Sequence, residues 1–252
     1  MGNFDLRQFA TPQALAEAAA ADCLELVREA RQNTTTFSLA LSGGRIARLF
    51  CAAFASQVKA RALAVEHVHF FWSDERCVAP EDPESNFRLA NDLLLRPLQI
   101  SQAQIHRLEG EKKGEQCFAG AAADLRKRVR FSPAGQPILD LVLLGMGEDG
   151  HVASLFPGEP EPVMDDPAIF RAVTAVKPPP RRITMGYRAI AAAAEAWALA
   201  SGDGKVGALR ESLRPDGRTP LARVGRLRGC VRIYTDISTA GAEKIRGTEN
   251  IF

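Results

Sequence analysis

The run Gly145-Met146-Gly147-Glu148-Asp149-Gly150-His151 sets a histidine two residues after an aspartate, at the end of a turn built from three glycines. An imidazole gains and loses a proton near neutral pH, so it can take one from water. A carboxylate beside it holds the ring in one tautomer. His151 is thus a candidate general base and Asp149 its orienting partner. A lone histidine is more often a helix cap, but the glycines and paired acids of this loop weigh toward chemistry. The same run satisfies the Gly-x-Gly-x-x-Gly dinucleotide pattern behind an apolar strand. That reading fails, because Glu148 and Asp149 would repel a pyrophosphate, Pro157 stops any following helix, and the required βαβ unit is missing.

Two more segments carry groups of the kind a site needs. In Ser42-Gly43-Gly44-Arg45 the glycines let backbone N–H groups approach an anion. The following helix adds the positive end of its dipole, and Arg45 adds a full charge. An ordinary strand-to-helix turn has the same composition, and the residues leave both readings open. Asp74-Glu75-Arg76 stacks three charges behind an aromatic strand; taken alone, a solvated loop with an internal ion pair is the simpler account. Asp82-Pro83-Glu84-Ser85-Asn86 offers polar groups to hydroxyls, or only a cap at Ser85 for the next helix. His67, His69 and His106 lie on or beside strands and read as structural. A Gly-x-Ser-x-Gly elbow and a Gly-x-x-x-x-Gly-Lys-Ser/Thr loop are both missing, and His151, Asp149 and Glu148 are too few ligands for a metal.

The elements that must present these loops follow from periodicity and punctuation. Thr11-Pro12 opens a helix that runs to about Gln32. Strands are expected at Phe37–Leu41, Val68–Trp72, 138–144, 196–200 and Cys230–Thr235, with a short one at 105–108. Helices are expected at 45–59, 86–95, 115–130, 187–194 and 204–213. Lys177-Pro178-Pro179-Pro180 reads as an extended segment. Strands alternating with helices predict an α/β fold: an open, Rossmann-like, mostly parallel sheet with helices on both faces. The carboxyl ends of parallel strands share one side, so the loops at Ser42, Asp74 and Gly145 are expected to converge there. No linker divides the chain, and residues 1–252 are expected to form a single domain.

Composition narrows the function classes. With 252 residues, 46% hydrophobic and 25% charged, the chain has the makeup of a globular protein with a sizeable core. A net charge of +2 makes no case for nucleic acid, and the arginines of 126–130 and 223–228 read as solvated faces. Five widely spaced cysteines form no ligand pattern and point to reduced thiols in a cytoplasm. The N-terminal residues carry Asp5 within a polar stretch, so no signal peptide is expected, and Leu6 stands where myristoylation wants a hydroxyl. The most apolar later stretch, 189–200, is broken by Glu195 and too short to span a membrane. Residues 236–252 carry no usable motif.

Taken in order, the motifs resemble those of the 6-phosphogluconolactonase family. They are Leu41-Ser42-Gly43-Gly44, Phe71-Trp72-Ser73-Asp74-Glu75-Arg76, Asp82-Pro83-Glu84-Ser85-Asn86, Gly145 to His151 with Ala153-Ser154-Leu155-Phe156-Pro157-Gly158, and Lys177-Pro178-Pro179-Pro180-Arg181-Arg182-Ile183-Thr184. The Ser201-Gly202-Asp203-Gly204-Lys205 turn fits as well. Each motif alone is weak, whereas five in order, across residues 40–205, are specific.

The resemblance implies the fold shared with glucosamine-6-phosphate deaminase and ribose-5-phosphate isomerase. It implies hydrolysis of 6-phospho-D-glucono-1,5-lactone in the oxidative pentose phosphate pathway, with no cofactor and no metal. The partner is then a small sugar phosphate lactone rather than nucleic acid or membrane, and the protein a cytoplasmic monomer or weak homodimer. His151 would be the general base, with Asp149 orienting it or binding a hydroxyl. Ser42, Gly43, Gly44 and Arg45 would hold the phosphate, helped by some of Arg76, Lys177, Arg182 and Lys205. One of these cations, with Arg76 a candidate, would instead face the developing oxyanion. Asp74 and Asn86 would contact the sugar. Arg45-Ile46-Ala47 departs from the family's usual Ser/Thr-Thr-Pro, losing a hydroxyl and gaining a guanidinium.

Two rivals remain beside this expectation. Ile183-Thr184-Met185-Gly186 has the flavour of the deaminase branch, but deaminases resemble Asp-Glu-Tyr where this chain has Arg76. They also carry a carboxylate five residues after the histidine, where this chain has Phe156. A non-catalytic sugar-phosphate sensor is the second rival, and the intact His151–Asp149 pair argues against it.

Overall fold

The computed structural model describes residues 3–238, so nearly all of the motif-free C-terminal stretch lies outside them. β1 (Asn3–Gln8) leads into α1 (Pro12–Gln32), which Pro12 opens and the Thr11 hydroxyl caps. β2 (Phe37–Leu41) turns through Ser42-Gly43-Gly44 into α2 (Arg45–Ala60). β3 (Val68–Trp72) passes through Ser73 alone into β4 (Asp74–Arg76). α3 (Asn86–Ala90), capped by Ser85, continues as a wider π-type turn to Leu95. α4 (Gln116–Arg128), the short pair β5 (Arg130–Phe131) and β6 (Pro137–Ile138), and β7 (Leu141–Gly145) follow. After α5 (Glu161–Met164) come the hairpin β8 (Phe170–Thr174) and β9 (Arg181–Met185), then α6 (Tyr187–Ala192) and β10 (Glu195–Ala200). The last elements are α7 (Val206–Leu213), α8 (Pro220–Arg228) and β11 (Cys230–Thr235).

The central sheet has the order β1-β11-β10-β7-β2-β3, and every pair is parallel. β7 reads as an apolar run, and β2 as one broken only by the buried Ser38, because helices cover both faces of the sheet. Leu39, Ala40, Leu141, Val142 and Leu144 are fully buried. α1 packs on α2, and α8 packs on α6 and α7. The chain proceeds from β2 outward to β3, but from β7 the opposite way to β10 and β11. The strand order therefore reverses between β2 and β7, the place where open α/β sheets form a crevice.

A second sheet, β4-β9-β8, is antiparallel and was not legible in the sequence. The proline segment proves to be the loop of the β8–β9 hairpin, closed by the Ala175 N–H on the Pro180 carbonyl at 2.7 Å. Ile138 belongs to the small β5–β6 pair, so the central strand begins only at Leu141. The short strand expected at 105–108 shrinks to a single parallel bridge from Ile105 to Phe70. β1, an edge strand carrying Asp5 and Arg7, lacks the apolar run of the inner strands and escaped notice.

Of the arginines of 223–228, Arg226 is exposed as expected, whereas Arg223 and Arg228 are half-buried. Arg223 pairs with Glu161 at 2.9 Å and Asp165 at 2.6 Å and lies over the Tyr187 ring. Arg226 donates to the Gly217 carbonyl at 2.6 Å, and Arg228 to the carbonyls of Ala193 and Ala194. Backbone acceptors and acids of neighbouring elements consume these charges.

The three structural histidines stay away from the sheet's crevice. His106 Nδ1 lies 2.8 Å from Asp124 Oδ2 and its Nε2 3.0 Å from His69 Nδ1, while its ring stacks on Phe71. The relay fastens α4 to the edge strand β3. Burial, then the charges of Arg128 and His106, lowers His69 from its ordinary 6.5 to about 4. A histidine kept neutral by the fold binds fewer protons than in the unfolded chain. Its contribution is full above pH 6.5 and is lost as the pH falls toward 4. The unfolding temperature is expected to fall across that interval, and by less in His69→Gln, as scanning calorimetry would show.

Candidate active site

At the reversal point lies an open cleft of about 440 Å³. Every residue expected in the site lines it except Asp149, which backs His151, and Lys177. The Lys177 side chain is exposed outside the lining, and its carbonyl accepts from Arg182 Nη2 at 3.5 Å. Ile46, Gly145, Met146 and Ala153 complete the lining.

The β2–α2 turn brings backbone rather than side chains to the cleft. A Cβ on Gly43 would sit 1.8 Å from Asn86 Oδ1, so only glycine allows the α3 start to close against this turn. No side chain caps α2 among the described residues, which leaves its first N–H groups for a ligand. The Ser42 hydroxyl is already engaged. It donates to Asp74 Oδ1 and accepts from the Gly145 N–H, both at 3.4 Å, and so ties the three loops together.

Asp74-Glu75-Arg76 is no solvated loop: Asp74 is 3% and Glu75 2% exposed, because β4 pairs with β9. Asp74 accepts from Ser154 Oγ at 2.8 Å and from Asn86 Nδ2 at 3.3 Å. Glu75 accepts the N–H groups of Arg76, Asn86 and Phe87, each at 2.7 Å, and the Ser85 hydroxyl at 3.1 Å. Burial pushes the Glu75 carboxyl up to about 7 against the pull of those N–H groups. It anchors the start of α3. Among the described residues the Arg76 guanidinium makes no ion pair with Asp74 or Glu75. It donates to the Glu84 carbonyl and pairs with the Glu84 carboxylate at 3.8 Å.

Behind β7, the loop folds into two tight turns. The Gly147 N–H donates to the His151 carbonyl at 2.8 Å and the Gly150 N–H to the Gly147 carbonyl at 3.1 Å. His151 is thereby folded back over Gly147. Asp149 Oδ1 lies 2.5 Å from His151 Nδ1 and accepts the His151 backbone N–H at 3.2 Å. Desolvation raises the Asp149 carboxyl, but the His151 ring and N–H groups outweigh it and hold the acid below its ordinary range. With Nδ1–H given to a carboxylate, the Nε2 lone pair is left free, as a general base requires.

Four cations line the cleft as two pairs. Arg76 and Arg182 face each other directly across β4 and β9. Like charges at opposed positions destabilise a sheet, so the pairing serves something other than the fold. Arg182 is 7% exposed and pinned through Nε to the Pro179 carbonyl at 3.1 Å. Burial and the Arg76 charge lower it below its ordinary range. At the α2 end, Lys205 is lowered by burial and then by Arg45. Neither Arg45 nor Lys205 makes an ion pair among the described residues. Phe156, which in the sequence only separates hydrolysis from deamination, also sets its ring against both His151 and Arg182. Among the described residues no cluster of His, Cys, Asp and Glu is placed to hold a metal, and no helix is long and apolar enough to cross a membrane.

Comparison with known proteins gives one family. The model of the glucosamine-6-phosphate isomerases/6-phosphogluconolactonase family matches residues 10–233. A 6-phosphogluconolactonase of Streptomyces coelicolor is 32% identical over 237 residues, 92% of this chain and 90% of that one. Among solved structures, the devB protein superposes with a TM-score of 0.83 at 28% identity, covering 96% of this chain and 99% of that one. The 6-phosphogluconolactonase of Trypanosoma brucei has a TM-score of 0.81 at 24% identity, covering 97% and 99%, a likeness of fold.

Proposed function

Because the chain belongs to the family of glucosamine-6-phosphate isomerases and 6-phosphogluconolactonases, we propose that it is a lactone hydrolase, opening 6-phospho-D-glucono-1,5-lactone to 6-phospho-D-gluconate. The observation that carries this reading is the Asp149–His151 pair, set between two cation pairs in the crevice of the sheet.

The product has an anion at each end, a phosphate and a new carboxylate, and the two cation pairs match them. The phosphate is assigned to the α2 N-terminus with Arg45 and Lys205, where fixed N–H groups and two unpaired cations favour a dianion. Arg45 then supplies by charge what the family's hydroxyl supplies by hydrogen bonding. The lactone carbonyl is assigned to the Arg182 and Arg76 end. His151 Nε2 takes a proton from water as the water oxygen bonds to C1. The arginines hold the oxyanion, the bond from C1 to the ring oxygen breaks, and the imidazolium returns the proton to that oxygen. Asp149 stabilises the imidazolium. The remote phosphate fixes the carbonyl against the water, so its binding energy serves the rate.

The direct test generates the lactone in situ with glucose-6-phosphate dehydrogenase and follows its decay with and without the protein, above the spontaneous background. Ammonia release from glucosamine 6-phosphate is measured in parallel. Faster lactone decay without ammonia is expected; ammonia without lactone decay would assign the deaminase branch. Lys205→Ala is expected to raise KM about 10- to 100-fold with little change in kcat, the loss of one charged contact to the phosphate. Arg45→Ala should do the same more weakly, being nearer solvent. A fall in kcat at unchanged KM in both would move the phosphate to the Arg76–Arg182 end.

A further inference from the structure

We propose that Phe156 is a positioning residue for the hydrolysis, fixing the His151 imidazole and the Arg182 guanidinium against one aromatic ring. The inference rests on the reading of His151 as the base. The two rings lie 5.0 Å apart, centroid to centroid, with their planes at 46°. The Arg182 guanidinium carbon lies 5.7 Å from the centroid of the same Phe156 ring.

Neither partner is fully held without that ring. Asp149 grips the His151 ring through Nδ1 alone, which sets the tautomer but leaves the imidazole some freedom about its side-chain bonds. Arg182 is tied to backbone carbonyls through Nε and Nη2, on the side away from its free nitrogen. A ring packed against both removes the remaining freedom. Its π face also attracts the guanidinium, which makes no ion pair among the described residues.

Phe156 can do this because its own place is set independently of His151. Leu155, immediately before it, is fully buried. Ser154 donates its N–H to Thr184 Oγ1 at 3.1 Å and its hydroxyl to Asp74 Oδ2 at 2.8 Å. Ala153 adopts a φ of 50°, in the left-handed region, so the chain turns sharply here and brings residue 156 back over residue 151. Phe156 itself is half-buried at the rim, where the core does not need it.

The test compares Phe156→Leu, which keeps the apolar bulk, with Phe156→Tyr, which keeps the ring. Phe156→Leu is expected to lower kcat about tenfold, with KM within about twofold of wild type, and Phe156→Tyr to restore most of the rate. The His151 Cε1–H resonance, shifted by the neighbouring ring current, is expected to move in Phe156→Leu and to stay in Phe156→Tyr. Equal rates in wild type and Phe156→Leu, or an unmoved resonance, would overturn the proposal, as would equal losses in Leu and Tyr. An active His151→Ala would remove the reading of the base. A full-rate Phe156→Leu beside an inactive His151→Ala removes only the positioning role.

Discussion

His151→Ala is expected to lower kcat for the lactone by about 10²- to 10⁴-fold, the range a positioned general base contributes. KM should stay within about twofold, because the phosphate contacts and the Arg182 end are untouched. The spontaneous hydrolysis of the lactone sets a floor, so the loss must be read after subtraction at several protein concentrations. The fold should hold, since His151 is partly exposed and its ring makes one side-chain hydrogen bond, to Asp149. Asp149→Asn is the companion. It keeps the shape but weakens the hold on the imidazolium, so its kcat should fall between wild type and His151→Ala. Near-wild-type turnover in His151→Ala would end the assignment of the base.

Gly147→Ala is expected to approach the same loss without touching a chemical group. A Cβ there would sit 2.2 Å from both His151 Cε1 and Nδ1 and 2.7 Å from Asp149 Oδ1. Something must move, and the imidazole is the movable part, since its backbone is fixed by the Gly147 N–H bond to the His151 carbonyl. Displacing a catalytic group by about 1 Å costs on the order of 10²-fold in rate. The unfolding temperature should change little, because the ring swings toward solvent instead of into the core. In a His151→Ala background the clash with the imidazole disappears and only that with Asp149 remains, a group that acts through His151, so Gly147→Ala should cost no further rate. Additive losses would show that the methyl acts elsewhere.

The sequence was legible where a single segment carries its own signal. Strands β2, β3 and β11 lie at the expected residues, since each is a short, mostly apolar run with β-branched or aromatic members, bounded by polar or turn residues. The convergence of the Ser42, Asp74 and Gly145 loops followed from strand polarity alone. What escaped depends on pairing between distant segments. Asp74-Glu75-Arg76 looks solvated until β9 is laid beside it. Arg223 of α8 looks solvated until Glu161, Asp165 and Tyr187 come within reach. Lys177 and Arg182 are equivalent as charges in sequence, and only the bend of the hairpin points one outward and the other into the cleft. Gly147 reads as one more loop glycine until the imidazole lies over it.

Ser73 is the only residue between β3 and β4, and so the only link there between the two sheets. Its hydroxyl donates to the Leu41 carbonyl at 3.1 Å, its N–H to the same carbonyl at 2.7 Å, and its own carbonyl accepts from the Met185 N–H at 2.7 Å. One cation pair belongs to the large sheet's side of this joint and the other to the small sheet. The backbone joint between the sheets that carry them is thus held at a fully buried serine. With the phosphate and the carbonyl placed at opposite ends as proposed, the cleft would act as a gauge of molecular length. A lactone one carbon shorter or longer than the six-carbon sugar would seat its phosphate and leave its carbonyl off the mark. Such homologues should bind as competitors while turning over slowly.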